Sequence, residues 1–152
     1  MKSLLAYLFV SLFLGAVMLN ADPTGDTEVV IPTEISQPPY EVGNLISEQG
    51  YYIDLAEGAK MNFRIVENKI RIYWLDTNSL IMEPPVKAVT VRFTGSVRGK
   101  SYHRAVPAPG DVGLAAPAVV PPPHIYNVIL AFESGETYAF RYTADMDSPK
   151  AE

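Results

Sequence analysis

The sequence predicts an all-β fold, namely an Ig-like antiparallel β-sandwich of about seven strands. Three observations lead to this prediction. Apolar and polar side chains alternate with a period of two from Tyr51 onward, and turn-forming residues recur at intervals of about eight to twelve residues. No segment shows the 3.6-residue period of an amphipathic helix. A small barrel is the alternative architecture.

The N-terminus predicts export. Lys2 is followed by an apolar run from Leu4 to Leu19 and by a small residue, Ala21, before a polar break. This is the pattern of a secretory signal peptide over residues 1–21, with cleavage after Ala21. An uncleaved anchor is the alternative, although the run is short for a hydrocarbon core that needs about twenty helical residues. We expect a periplasmic or secreted protein with no membrane span after cleavage.

Residues 22–49 are predicted to form an extended N-terminal leader, because this stretch is acidic and rich in proline and turn-forming residues. Val29–Ile31 is the one part of it with strand character, and we expect it to add an edge strand at most.

The β-sandwich domain is predicted over residues 50–143. Glu67-Asn68 separates two alternating runs and predicts a β-hairpin, and Glu133–Glu136 predicts a second one near the end of the domain. Trp74 is expected to anchor the core. Strands are predicted at 51–55, 61–65, 70–74, 80–82, 86–94, 97–106, 125–132 and 137–143.

Residues 107–123 are predicted to form a Pro-rich crossover. Six prolines fall in this stretch, namely Pro107, Pro109, Pro117, Pro121, Pro122 and Pro123. Because proline cannot donate to a ladder, we expect no helix and no central strand here, with 114–120 touching the sheet edge at most. Residues 144–152 are predicted to be a polar tail.

Composition limits the function classes. The chain has 152 residues with 12 basic and 17 acidic side chains, for a net charge of −5, and it has no cysteine. The basic residues form no stripe along the sequence, so we expect no nucleic-acid partner. Without cysteine the domain has no disulfide, no thiolate metal site and no thiol nucleophile.

The run from Phe63 to Asp76 resembles the strand–turn–strand core of small bacterial periplasmic β-sandwich proteins, some of which accompany heavy-metal efflux systems. The resemblance continues through 86–93 and 126–142. It implies a β-sandwich in the bacterial envelope and, as an alternative function, a metal-handling accessory protein. That family often carries a His-Gly-rich segment before the first strand, where this chain has Glu48-Gln49-Gly50.

His103 and His124 are the only histidines and are therefore the candidate metal ligands. The alternative is that both lie at strand ends with no metal role. No motif of nucleophilic, zinc-dependent or phosphate-binding catalysis occurs in the sequence. We therefore expect neither enzymatic activity nor a cofactor.

Tyrosines on an outward sheet face are the candidate binding residues, since a rigid tyrosine offers a large contact area. The candidates are Tyr73, Tyr102, Tyr126 and Tyr142. The alternative is that they form cross-strand pairs that stabilise the sheet. Together these observations predict an exported non-catalytic binding or accessory module whose partner is an envelope protein, bound through a strand edge, the tyrosines or the Pro-rich crossover.

Overall fold

A computed structural model describes residues 39–95 and 99–148, and every strand in these ranges belongs to one antiparallel sheet. Two short 3₁₀ turns, Ala56–Gly58 and Ala144–Asp147, are the only helical elements there. The predicted all-β antiparallel class is confirmed. The strands are Tyr51–Asp54 (β1), Lys60–Val66 (β2), Lys69–Leu75 (β3), Ile81–Met82 (β4), Val89–Gly95 (β5), Gly99–Pro107 (β6), Leu114–Val119 (β7), Tyr126–Ala131 (β8) and Thr137–Tyr142 (β9).

The hairpin of β2 and β3 forms as predicted. Glu67 and Asn68 take φ values of 50° and 62°, so both central residues are left-handed, as a type I′ turn requires. The ladder then pairs Val66 with Lys69 and runs to Lys60 opposite Leu75. The second predicted hairpin, β8 with β9, also forms and closes with a hydrogen bond from Phe132 N–H to the Glu136 carbonyl.

The sheet curls until it is nearly barrel-shaped. The strand order is β1-β2-β3-β7-β6-β5-β8-β9, with β4 added beside β3. Strands β5, β6 and β7 are neighbours in sequence order and β8 returns beside β5, which is a Greek-key arrangement. At the open side, Tyr51 of β1 and Phe140 of β9 stack with ring centroids 4.3 Å apart, and these two strands form no ladder with each other.

The prediction of no central strand in the Pro-rich crossover is wrong. Strand β7 lies between β3 and β6 and joins the two halves of the sheet. Between its pairs Lys69–Val119 and Arg71–Ala115 the register shifts, so two residues advance on β3 while four advance on β7. Pro117 falls inside this bulge, where its position needs no N–H donor for the ladder. The strand therefore continues past it. The described residues hold nine strands, compared with the expected count of about seven.

The core lies inside the curled sheet. Trp74 is 3% exposed there, which confirms its predicted role. The inward residues alternate along the strands as period-two patterning requires. The fully buried members are mostly aliphatic and aromatic, namely Met61, Phe63, Ile65, Ile70, Ile72, Val89, Val91, Phe93, Leu114, Val128 and Leu130.

A second apolar layer covers the outer side of β3. Tyr40 and Ile46 are buried there against Tyr73, Leu75 and Ile81. Backbone hydrogen bonds also hold this layer: Gly43 N–H donates to the Ile81 carbonyl, and Ile81 N–H donates to the Asn44 carbonyl. The end of the predicted leader, residues 39–49, therefore packs onto the sheet. The predicted signal peptide, residues 22–38 with Val29–Ile31, and residues 149–152 of the predicted tail lie outside the described residues.

Within residues 39–95 and 99–148, no helix has the length and apolar character needed to cross a bilayer.

Candidate functional site

The outer surface of β5, β6, β8 and β9 collects the basic side chains of this half of the sheet. Strand register places its outward positions in three rows of four across β6, β5, β8 and β9. The rows are Arg104, Thr90, Ala131, Thr137; then Tyr102, Arg92, Ile129, Ala139; then Lys100, Thr94, Asn127, Arg141. Four of these side chains are cations and none is a carboxylate, although the whole chain carries a net charge of −5. We call this surface the cationic face.

Tyr102 is the exposed aromatic of the cationic face, with 63% of its surface in contact with solvent. Lys100 and Arg104 flank it on the same strand at i ± 2, about 7 Å away. Arg92 is its direct cross-strand partner, and opposite Cβ atoms in such a pair are about 5 Å apart. One flat ring thus lies among three positive side chains.

Two depressions mark opposite ends of the cationic face, and each contains an arginine. The first encloses about 220 Å³ and is lined by Arg104 with Thr90, Ala131 and Glu133 among others. The second encloses about 160 Å³ and is lined by Arg141 with Thr94 and Asn127 among others. The hydroxyl, amide and guanidinium groups of the second depression are suited to hydrogen-bond an anionic group, whereas the Glu133 carboxylate occupies part of the first.

Two arginines of the cationic face have few ion pairs or hydrogen bonds within the described residues. Arg104 meets Glu133 at 3.4 Å, but both side chains are largely exposed, so this pair contributes little to stability. The Nε of Arg92 is buried and has no hydrogen-bond partner among the described residues. A buried donor without an acceptor is costly to leave unmatched.

The cationic face had no signal in the sequence as a linear pattern. Its basic residues are spread from Arg92 to Arg141, so they form no stripe along the sequence. They form a cluster only on the surface of the folded sheet. The Greek-key return of β8 to β5 brings them onto one surface. Only the period-two alternation of each strand, combined with the correct register, could have located the site.

The structure separates the four tyrosines that the sequence singled out. Tyr102 is exposed on the cationic face, and Tyr126 is half-buried beneath it, with its ring 4.8 Å from Phe93. Tyr73 and Tyr142 are 1% and 0% exposed, so the prediction that they lie on an outward binding surface is wrong. Tyr73 does point outward from the sheet, but the Tyr40 ring covers it, while Tyr142 points into the core.

Asp147 forms a polar cluster at the open side of the sheet. Its Oδ1 accepts a 2.7 Å hydrogen bond from the Tyr142 hydroxyl, and its Oδ2 contacts Nδ1 of His124. The other ring nitrogen of His124 lies 3.2 Å from the Val120 carbonyl oxygen. Both ring nitrogens therefore contact an oxygen atom, and the imidazole is held from two sides. The cluster connects the turn after β9 to the crossover before β8.

The two histidines do not share a site. His103 lies on β6, half-buried, with its ring centroid 5.4 Å from that of Phe93, and burial lowers the pKa of His103. His124 is held instead by Asp147 and Val120. In the part of the chain that the structure describes, no group of three or more histidine, aspartate or glutamate side chains is arranged to hold a metal ion.

Arg64 is a buried cation that sequence reasoning missed. It is 1% exposed on the outer side of β2, where the segment before β1 covers it. Its Nε donates to Asn62 Oδ1 at 2.6 Å, and its two Nη atoms donate to Ser47 Oγ and to the Ser47 carbonyl at 3.0 and 2.9 Å. Its guanidinium lies 5.6 Å from the centre of the Tyr73 ring. These neutral acceptors and the ring face hold the charge, which indicates a role in fixing the covering segment.

Comparison of the chain with protein-family models, with curated proteins and with solved structures found no match in any of the three.

Proposed function

We propose that this chain is an exported, non-catalytic binding module of the bacterial envelope that binds an anionic partner through the cationic face. The observation that carries the proposal is the gathering of Lys100, Arg92, Arg104 and Arg141 on one side of an acidic protein, with no carboxylate among the outward strand positions. A local positive field on a chain of opposite net charge favours one orientation of an anionic partner.

The exposed Tyr102 supports a partner with a flat or ring-like group near its charge. An aromatic ring provides contact area, and the adjacent cations provide charge-assisted hydrogen bonds. The depression with Arg141, which has no carboxylate in its lining, then offers a further position for an anionic group.

The finer fold assignment and the compartment are part of the same proposal. The Greek-key order of β5 to β8 supports an Ig-like sandwich, since most β-sandwiches contain this motif. The hydrophobic N-terminal run and the small residue before the polar break support export.

The proposal is tested by measuring the binding of fluorescent poly-glutamate and of heparin to the full-length protein at several salt concentrations. We expect binding that weakens as salt rises, and a loss of about ten-fold or more in the Lys100→Glu/Arg141→Glu variant. The Lys69→Glu/Lys87→Glu variant is the matched control, because it changes the net charge equally at exposed positions off the face. Equal losses in both variants, or binding that salt does not change, would contradict the proposal.

A further inference from the structure

We propose that the free edge of β9 pairs with β9 of a second copy, so that the protein forms a two-fold symmetric dimer with one continuous sheet. Within the described residues, β9 has a ladder partner on one side only, which is β8. The inference concerns assembly and does not depend on anion binding.

The edge of β9 has few of the features that normally prevent strand pairing, and Arg141 is its one charged residue. Its sequence, Thr-Tyr-Ala-Phe-Arg-Tyr over Thr137–Tyr142, contains no proline, glycine or lysine, and it pairs with β8 without a bulge. Natural edge strands are usually short, are twisted away by a bulge, or carry proline or lysine, which block pairing with another strand. Six regular residues therefore form an accessible template for another strand.

Backbone geometry decides which groups point away from β8. The hydrogen bond from Phe132 N–H to the Glu136 carbonyl makes that pair a hydrogen-bonded one. Antiparallel pairs alternate, so Tyr138, Phe140 and Tyr142 direct their backbone groups toward β8. The N–H and C=O groups of Thr137, Ala139 and Arg141 consequently point to the open edge.

These groups are self-complementary about Ala139. With Ala139 opposite Ala139 of the second copy, Thr137 of each copy lies opposite Arg141 of the other, and all three pairs are hydrogen-bonded ones. Each arginine then faces a neutral hydroxyl. The two Arg141 side chains start about 14 Å apart, which exceeds the Debye length of about 8 Å at physiological salt, so their repulsion is screened.

The inward side chains favour the same register. Tyr138 and Phe140 are each partly buried against the core, and in the dimer each lies opposite the other residue type of the second copy. Aromatic cross-strand pairs stabilise antiparallel sheets. The two-fold axis is perpendicular to the sheet, so both cationic faces lie on the same side and a long anionic partner is able to contact both.

The first test is sedimentation of the full-length protein over a range of concentrations. We expect a monomer–dimer equilibrium whose dissociation constant rises at least ten-fold in Ala139→Pro and stays within two-fold in Ala139→Ser. Proline at this position removes an edge N–H that β8 does not use. If Ala139→Pro fails to fold by circular dichroism, Ala139→Lys replaces it, because it keeps the backbone and places two like charges opposite each other.

The second test checks the register. The chain has no cysteine, so a short thiol-to-thiol cross-linker reports only on an introduced one. We expect Ala139→Cys to cross-link rapidly into dimers and Thr137→Cys, which lies opposite Arg141, to cross-link much more slowly.

A protein that remains monomeric at every concentration, a dimer that neither Ala139→Pro nor Ala139→Lys weakens, or faster cross-linking from Thr137→Cys would each overturn the dimer proposal. A monomer that still binds poly-glutamate through the cationic face would overturn the dimer alone and leave the proposed function standing.

Discussion

The hydroxyl of Tyr142 donates a 2.7 Å hydrogen bond to Oδ1 of Asp147 and so ties the last strand to the segment that follows it. The same hydroxyl accepts a 3.1 Å bond from the backbone N–H of Ile65 on β2. Strand β1 begins at Tyr51 opposite Phe63, so it does not reach Ile65, and the hydroxyl takes the place of a strand partner there. One side chain thus connects both ends of the open sheet.

Replacing Tyr142 with phenylalanine is expected to lower the free energy of unfolding by about 1–3 kcal/mol, because it leaves the buried Ile65 N–H without an acceptor. Urea denaturation measures this loss. Tyr102→Phe is the control and should change stability by less than about 0.5 kcal/mol, since its hydroxyl is on an exposed side chain. Equal effects in the two variants would contradict the role of the Tyr142 hydroxyl.

Alkaline pH is expected to destabilise the protein through Tyr73 and Tyr142. Burial, and then hydrogen bonding to Asp111 and Asp147, raises the pKa of these two phenols above the ordinary value of 10.0. Above pH 10 the unfolded chain loses these protons while the folded chain keeps them, so stability falls as pH rises toward the folded-state values. The expected slope is up to about 1.4 kcal/mol per pH unit for each tyrosine. Urea denaturation at pH 9, 10 and 11 measures it, and Tyr142→Phe should reduce the slope. A stability that stays constant over this range would be inconsistent with the buried phenols.

Substituting Arg64 with lysine is expected to cost about 1–3 kcal/mol, although the charge is kept. An ammonium group does not reproduce the fork that donates to Asn62 and to both Ser47 oxygens. Arg71→Lys is the matched control on the next strand, where the guanidinium lies 3.7 Å from the Asp111 carboxylate and the side chain is 27% exposed. Thermal denaturation of both variants compares them, and a larger loss for Arg71→Lys would disprove the assignment.

Gly50 is expected to tolerate no side chain. Its φ is +94°, and an added Cβ would lie 2.5 Å from the Phe63 carbonyl oxygen and 2.9 Å from Cβ of Arg64. Gly135 has a similar φ of +90° but open space around it. Gly135→Ala therefore reports the backbone strain alone, about 1 kcal/mol, and Gly50→Ala should cost clearly more because it adds the clash. Chemical denaturation of the pair tests this, and similar losses would show that the strand ends are free to move apart.

The metal-handling alternative is tested separately, by removing both histidines. Because His103 and His124 have different partners, we expect the His103→Ala/His124→Ala variant to bind Cu²⁺ and Zn²⁺ with the affinity of the unmodified protein, as measured by calorimetric titration. A loss of about ten-fold or more in that variant would favour the alternative function over the binding module.

The sequence pattern predicted the elements whose structure depends on residues close together in the sequence. The β2–β3 hairpin was predictable because alternating side chains and the left-handed tolerance of Asn68 act within a few residues. Strand β7 was not, because the rule that proline excludes a central strand does not anticipate a bulge at Pro117. The bulge depends on pairing with β3, which lies far away in sequence.

The same distinction applies to the site residues: the strand face was predictable, and coverage by distant segments was not. The alternation placed Tyr73 on the outward side of β3, but no local pattern indicated that Tyr40 would cover it. Tyr102 stayed exposed because no such layer covers β6 in the described residues. The cationic face needed the register of four strands, and its two strand pairs, β5 with β6 and β8 with β9, meet only where β8 pairs with β5.

Strand β7 also determines what holds the two halves of the domain together. It meets β6 through only two ladder pairs, Val106–Ala115 and Pro107–Leu114. Cohesion between the halves therefore depends mainly on apolar contacts such as the Phe63–Phe93 pair, whose ring centroids are 6.3 Å apart. Since apolar association weakens on cooling, the contact between the halves should be weaker at low temperature than at room temperature.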